Sequence, residues 1–373
     1  MRIAICFAGL ALLTPLAIRE AVTGPVGQEH WRLSSEPKLE IGSRSGEVAY
    51  TWGSVVGVTR LVSGQIVVVD QVNRELSWYD STGKHERTVG GQGEGPGEFL
   101  GTMPPLKCSA DSVFIWDPGL GRITVFDSHG TYGRILRDSS LNREPTQTSG
   151  WRFDRIACNS GKVFAMTFAS PNMGPLREGP TQVDVRLLVV REGEEGIVLG
   201  PFPGDDRYIL RGNLFPQPLG KKTQIAIGSS RVFVGTAEAF QVRVFSLDGQ
   251  EVGIIRDDVT PIAVTDDVID AFLATYSEDR RAMWSSIQYP DYLPSYSSLL
   301  VDPDGCLWVE EYRLPGQNRS KWRVYDIDGD LESTLLLPQG FQLYEVGTDY
   351  ALGVRKDELD VEYVQLYALE RDP

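Results

Sequence analysis

Apolar and polar positions in this chain fall into a phrase that returns along most of its length. From Gly64 to Gly83 the chain reads GQIVVVDQVNRELSWYDSTG: an apolar run closed by an aspartate, a short polar turn, a second apolar run closed by aromatic-Asp, and a glycine turn. Asp111 to Gly130 repeats it as DSVFIWDPGLGRITVFDSHG, with Asp117 standing where Asp70 stands. Apolar runs of this length, bounded by Asp, Asn and Gly, predict short buried strands joined by tight hairpins. Variants return at Arg231 to Gly249 and Gly305 to Gly329, with weaker copies at Lys162 to Arg191 and Tyr350 to Glu370. Central strand pairs are therefore expected to begin near Ile66, Val113, Val163, Val232, Leu307 and Ala351.

Each pair is preceded by one further apolar strand and usually followed by another, as VVGVTRL precedes and HERTV follows the first pair. Four-stranded units repeating at about fifty residues suit the blades of a β-propeller. The last unit stops at Pro373 directly after its third strand, and Lys38 to Ile41 (KLEI) is expected to supply the missing outer strand and close the ring. The predicted fold is all-β: one six-bladed β-propeller of four-stranded blades over 38–373, closed by an N-terminal strand. Thr265 to Met283 breaks the pattern, with Ile269, Leu273, Tyr276 and Met283 at helical spacing and acidic residues at its start. It predicts one helical insertion, 265–283, between blades four and five, followed by the aromatic loop MWSSIQYPDYLPSY.

The first unit, with Asp70, Asn73, Arg74, Tyr79, Asp80, Gly83, Gly90, Gly93, Gly95, Pro96, Gly97 and Phe99, resembles the NHL repeat. Asp117, Arg122, Phe126, Asp127 and Gly130 repeat that match in the second unit, and later units keep fragments of it. Val354 to Leu369 (VRKDELDVEYVQLYAL) resembles the closing blade of exported bacterial six-bladed propellers. The resemblance implies fold and location, not a reaction. Propellers of this broad group include lactonase-like hydrolases and an amidating lyase that hold a metal in the central channel with carboxylates, Asn or His. None of their ligand residues aligns onto this chain.

The amino terminus changes the picture of where the protein works. Arg2 precedes an apolar run from Ile3 to Ile18, so residues 1–21 are expected to be a signal peptide and 22–37 a linker. Export to the periplasm, the cell surface or the medium follows, with no integral membrane domain after cleavage. The net charge of −15 opposes nucleic acid and anionic lipid as partners. Cys108, Cys158 and Cys306 remain after the signal, an odd number, and are expected as free, buried thiols. Cys108 and Cys158 nonetheless occupy equivalent positions in neighbouring repeats. His30, His85 and His129 offer no zinc-ligand spacing.

Candidate chemistry is sparse. Gly90 to Gly97 (GGQGEGPG) lacks the Lys-Ser/Thr of a phosphate loop and is expected to be a blade connection. The Asp-Gly turns at 80, 127, 247, 302 and 326 are expected as hairpins, not calcium loops. No Gly-x-Ser-x-Gly elbow is present, no catalytic residue is identified, and neither a metal site nor a cofactor is predicted. The candidate binding residues are Trp284, Tyr289, Asp291, Tyr292 and Tyr296, joined by Trp151 and Arg152 from the third-unit connection. Packing of the inserted helix onto the ring is the competing explanation for the same residues. The expected function is a monomeric, non-enzymatic binding or scaffold module for a protein, peptide or glycan. The rival is a metal-dependent hydrolase or lyase with its site in the channel, which would need three or four inward carboxylates, Asn or His at one mouth.

Overall fold

The computed structural model describes residues 31–44, 46–109, 111–137, 152–169 and 177–371. The expected signal peptide, His30 and Trp151 lie outside the described residues, as does the linker up to residue 30. Six antiparallel sheets follow one another along the chain. The first holds Val55–Arg60, Ile66–Asp70, Glu75–Tyr79 and His85–Gly90. The second holds Ser112–Asp117, Arg122–Asp127 and Tyr132–Arg137, with Leu106 bridged to Phe114 on its inner side. Arg152–Cys158, Val163–Ala169, Val185–Arg191 and Ile197–Phe202 make the third, and Gln224–Ile227, Arg231–Gly235, Gln241–Ser246 and Glu251–Arg256 the fourth. Tyr296–Val301, Leu307–Glu311, Lys321–Tyr325 and Leu331–Leu336 form the fifth. The sixth runs Phe341–Val346, Tyr350–Lys356 and Glu362–Arg371.

The sequence explains why these sheets stack. Every residue of Ile66–Asp70 is buried, and Ser112–Asp117 and Val163–Ala169 are buried at all but one position each. A strand apolar on both faces needs a cover on both, and successive side chains point to opposite faces. Val67 and Val69 accordingly pack with Val113, Ile115 and Phe126 of the second sheet, while Ile66 and Val68 pack with Leu352, Val354 and Val364 of the sixth. Phe114 and Trp116 turn the other way, onto Phe164 and Met166 of the third sheet. Val163 and Leu187 meet Val232 and Phe245 of the fourth; Phe233 and Val242 meet Tyr296 and Leu307 of the fifth; Trp308 and Trp322 meet Phe341 and Tyr367 of the sixth. The last sheet thus packs on the first. Outermost strands such as His85–Gly90 and Tyr132–Arg137 are largely exposed.

Bonds between neighbouring first strands fix their common direction. Thr59, near the end of its strand, donates to Glu345 near the end of Phe341–Val346 at 2.7 Å, and Asn159, just past Cys158, donates to the Gly228 carbonyl just past Ile227 at 2.9 Å. The first-to-second and third-to-fourth turns therefore gather at one face, while the second-to-third turns, short at Asp70–Glu75 and Asp117–Arg122, and the long connections between sheets lie at the other. At the hairpin face, Asp80, Asp127 and Asp326 each accept the backbone N–H groups two and four residues on, while Gly83, Gly130 and Gly329 sit at φ of +84°, +72° and +91°. A glycine in this left-handed region makes the bulged hairpin that an Asp-x-x-Gly phrase predicts.

Four expectations need correction. The outer strand of the sixth sheet is not one segment: Leu39–Ile41 pairs with Val364–Leu366, and Trp31–Leu33, inside the expected linker, pairs with Leu369–Arg371. Arg371 stacks 4.2 Å over the Trp31 ring, which explains the extra strand. The single helix of 265–283 is two, α1 (Asp266–Ala274) and α2 (Glu278–Trp284). The Arg281 guanidinium donates to the Leu273 and Tyr276 carbonyls at 3.2 and 3.3 Å, satisfying the end of α1 while the chain turns. A small additional sheet, Gly179–Gln182, Asp206–Leu210 and Asn213–Pro216, is inserted around the third sheet's outer strands. Finally, Cys108 and Cys158 are not free: they form a disulfide between the second and third sheets, with Cα atoms 5.0 Å apart. Cys306 stays a free thiol, its pKa pushed up to about 12 by burial and by nearby Asp302.

Candidate functional site: a cavity beneath two insertions

On the face of long connections, the small sheet and the helix pair meet. Tyr208, Leu273, Trp284 and Ile287 form a buried cluster of their own, with Phe215, Phe272 and Tyr289 packed against it. The Phe215 and Trp284 rings stand edge to face at 5.6 Å, and Phe272 meets Tyr276 at 5.0 Å. Neither insertion has enough apolar residues to bury itself, so each covers the other. Together they form a cap over the fourth and fifth sheets.

Between cap and sheets lies a cavity of about 520 Å³. Phe272, Tyr276, Arg280 and Trp284 form its roof; Phe215, Gln217 and Lys222 form one wall; Gln224, Ser297 and Tyr312 line the sheet side. Gln224 and Ser297 belong to the first strands of the fourth and fifth sheets, so the floor is the mouth end of two innermost strands. Behind Ser297, whose hydroxyl donates to the Glu310 carboxylate at 2.9 Å, burial raises the Glu310 pKa against the opposing effect of Arg313. Burial likewise raises the Tyr312 pKa, with Tyr276 adding to it, so the Tyr312 phenol is protonated across the ordinary pH range. The cavity offers hydroxyl and amide groups that donate and accept, set between aromatic walls.

The residues singled out from sequence are dispersed around this cap. Trp284 is at its centre and lines the cavity. Tyr289 closes the cap behind Trp284, donating to its carbonyl at 3.0 Å. Asp291 lines a second, smaller hollow of about 380 Å³ on the other side of Gln217. Tyr292 is exposed beside it, bridged to Ala263. Tyr296 lines the cavity from the core side: its hydroxyl accepts the Ala237 N–H at 3.0 Å and donates to the Gln241 carbonyl at 2.9 Å. Arg152 pairs with Ala169 at the start of the third sheet. Sequence reasoning missed Gln217, Lys222, Arg280 and Tyr312. Only Tyr312 carried a signal, as an aromatic directly after an apolar strand.

Other motifs are accounted for structurally. Arg122 extends into the Gly90–Gly97 loop and donates to the carbonyls of Glu94, Gly95 and Glu98 at 2.9, 2.7 and 2.9 Å, so the loop wraps a buried guanidinium. Asp70 accepts from the backbone of Gly53, Ser54, Val72 and Asn73, and Asp117 does the same for Leu100, Gly119 and Leu120. Glu345 on an innermost strand is engaged by Thr59, the Arg60 backbone, Tyr350 and Lys107. Among the described residues, no group of three or more His, Cys, Asp and Glu side chains is arranged to hold a metal ion. No helix among them is long and apolar enough to cross a membrane.

No family model and no curated protein matches the chain. Among solved structures it is similar to a member of the DUF4221 family from Bacteroides vulgatus, at 9% identity and a TM-score of 0.55, covering 92% of this chain and 100% of that one. It is also similar to a candidate exported protein of Bacteroides fragilis, at 11% identity and a TM-score of 0.50, covering 94% and 98%. A gluconolactonase of Xanthomonas campestris aligns at 12% identity and a TM-score of 0.45, over 90% of this chain and 99% of its own. At such identities the likeness to the two Bacteroides proteins is one of fold, an all-β chain of antiparallel sheets.

Proposed function

We propose that the protein is an exported, NHL-like, six-bladed β-propeller that acts as a binding module, seating part of a protein, peptide or glycan partner beneath the cap. The ring reading is supported by six successive sheets whose last packs on the first, and by an N-terminal segment that completes the last sheet. Export is supported by the apolar run after Arg2 and by a disulfide, which persists in oxidising compartments. The observation that carries the binding role is the cavity itself. Two insertions from different connections meet on one face, and the space they enclose has the size and the mixture of aromatic walls and few polar groups of small-ligand sites.

The test is binding of the mature chain to glycan and peptide arrays, with Tyr276→Ala/Tyr312→Ala as the matched control. Both tyrosines are outside the sheets, so the variant should keep the wild-type melting temperature. The expected result is a ligand class bound by the wild type and lost by the variant. Equal signals from both proteins would overturn the assignment of binding to the cap.

A further inference from the structure

Resting on that reading of the cap, we infer that its ligand is an acidic saccharide, a sugar ring bearing a carboxylate. The charge of the lining is the first observation. The chain holds 51 Asp and Glu against 36 Lys and Arg, yet no acidic residue lines the cavity, while Lys222 and Arg280 both do. Neither has an ion-pair partner among the described residues. In a protein of net charge −15, an acid-free cavity with two unneutralised cations selects an anion.

Gln217 supplies the second observation. It is 7% exposed, and its Nε2 donates to the Gln288 carbonyl at 2.9 Å. A carbonyl can only accept, so that bond fixes which end of the amide is nitrogen. The other end, Oε1, has no donor and is buried within a side chain that lines the cavity. Buried acceptors are nearly always partnered, so the position calls for a ligand that donates. A carboxylate alone cannot do so, but a hydroxyl can.

Hydroxyls also suit the remaining polar groups. Gln224 can donate and accept, as a hydroxyl does, Ser297, whose proton goes to Glu310, can still accept, and Tyr276, Tyr312 and Trp284 present flat apolar surfaces to the carbon face of a ring. An aromatic acid would leave Gln217 without its donor, and a simple inorganic anion would leave the aromatic walls without contact. An acidic peptide satisfies charge and donor but uses the planar walls less completely.

Isothermal titration of the mature protein with a glucuronate-terminated disaccharide, its neutral glucose counterpart and a capped acidic dipeptide tests the inference. The acidic disaccharide should bind at least about tenfold more tightly than the neutral one, since charge-assisted bonds are the stronger kind. Lys222→Ala/Arg280→Ala should abolish that preference, and raised salt should shrink it. Gln217→Leu should weaken both saccharides alike, with the melting temperature reporting that the cap is intact. Equal affinity for the two disaccharides would overturn the acidic assignment and leave the cap reading in place. Binding of the dipeptide alone, lost in Tyr276→Ala, would overturn the saccharide class but not the cap. Binding by no probe, together with array signals that Tyr276→Ala does not alter, would overturn both.

Discussion

The two faces of this molecule differ in their longest connections. At one face, turns of a few residues are closed by an aspartate that accepts two backbone N–H groups and a glycine at positive φ. At the other, connections lengthen into a second small sheet and a pair of helices that pack on each other. The hairpin face is dictated by backbone geometry, which leaves little room for chemical variation. The capped face is held by side-chain packing and by side-chain hydrogen bonds such as that from Gln217 to the Gln288 carbonyl, and there the molecule encloses a space. Structure and site are thus segregated, as they are wherever a rigid scaffold carries variable loops.

Removing the Cys108–Cys158 disulfide should have the largest effect and should act on the body as a whole. Its ends, separated by 50 residues, join the second and third sheets within one buried cluster. Restraining an unfolded loop of that length contributes about 4 kcal/mol. Cys108→Ala/Cys158→Ala should therefore lose about that much in a denaturant titration while ligand binding at the cap persists. A variant as stable as the wild type would show that the sheets need no staple.

Trp284→Ala addresses the other side of the comparison. The indole is 7% exposed and is surrounded by Phe215, Leu273, Tyr208 and Ile287. Its loss should cost about 3 kcal/mol, the low end for a buried Trp, and the cost should fall on the cap. Hydrogen exchange should accelerate across 206–216 and 266–289 while Ile66–Asp70 and Val163–Ala169 keep their protection. Equal acceleration in the central strands would mean that cap and body form one cooperative unit.

What could be read from sequence divides along the same line. The strand pairs expected near Ile66, Val163 and Leu307 begin at those residues, because a strand buried on both faces must be written as an unbroken apolar run. The cap resisted reading because its small sheet is made of segments such as Gly179–Gln182, two of whose four residues are exposed and whose cover comes from helices some ninety residues later. The break between α1 and α2 had a legible sign that was passed over. Ser277 followed by Glu278 and Asp279 is a helix start, and Arg281 four residues on reaches back to close α1. The disulfide was hidden by an odd cysteine count, and Gln217 by having no feature except the absence of a donor. Tyr296 stands in a sheet and packs in its core, so its aromatic character belongs first to strand packing.

The smallest expected effect separates the two faces by pH. At the hairpin face Asp80 is held below the ordinary carboxylate range chiefly by its bond to the Thr82 hydroxyl. Asp127 is also held below that range: desolvation opposes the shift, but the N–H groups of Thr131 and His129 outweigh it. A carboxylate whose pKa is depressed on folding contributes stability that is complete above its unfolded pKa and disappears as pH falls through its folded one. These two turns should therefore weaken the body only in acid. At the cap the sign reverses, because burial raises the Glu310 pKa. Its ionisation opposes folding as pH rises from the unfolded value through the folded one. Asp80→Asn/Asp127→Asn should flatten the acid limb of a melting-temperature profile, whereas Glu310→Gln should raise the neutral plateau slightly and leave the acid limb unchanged. Identical profiles for the two variants would show that the faces do not differ in how charge holds them.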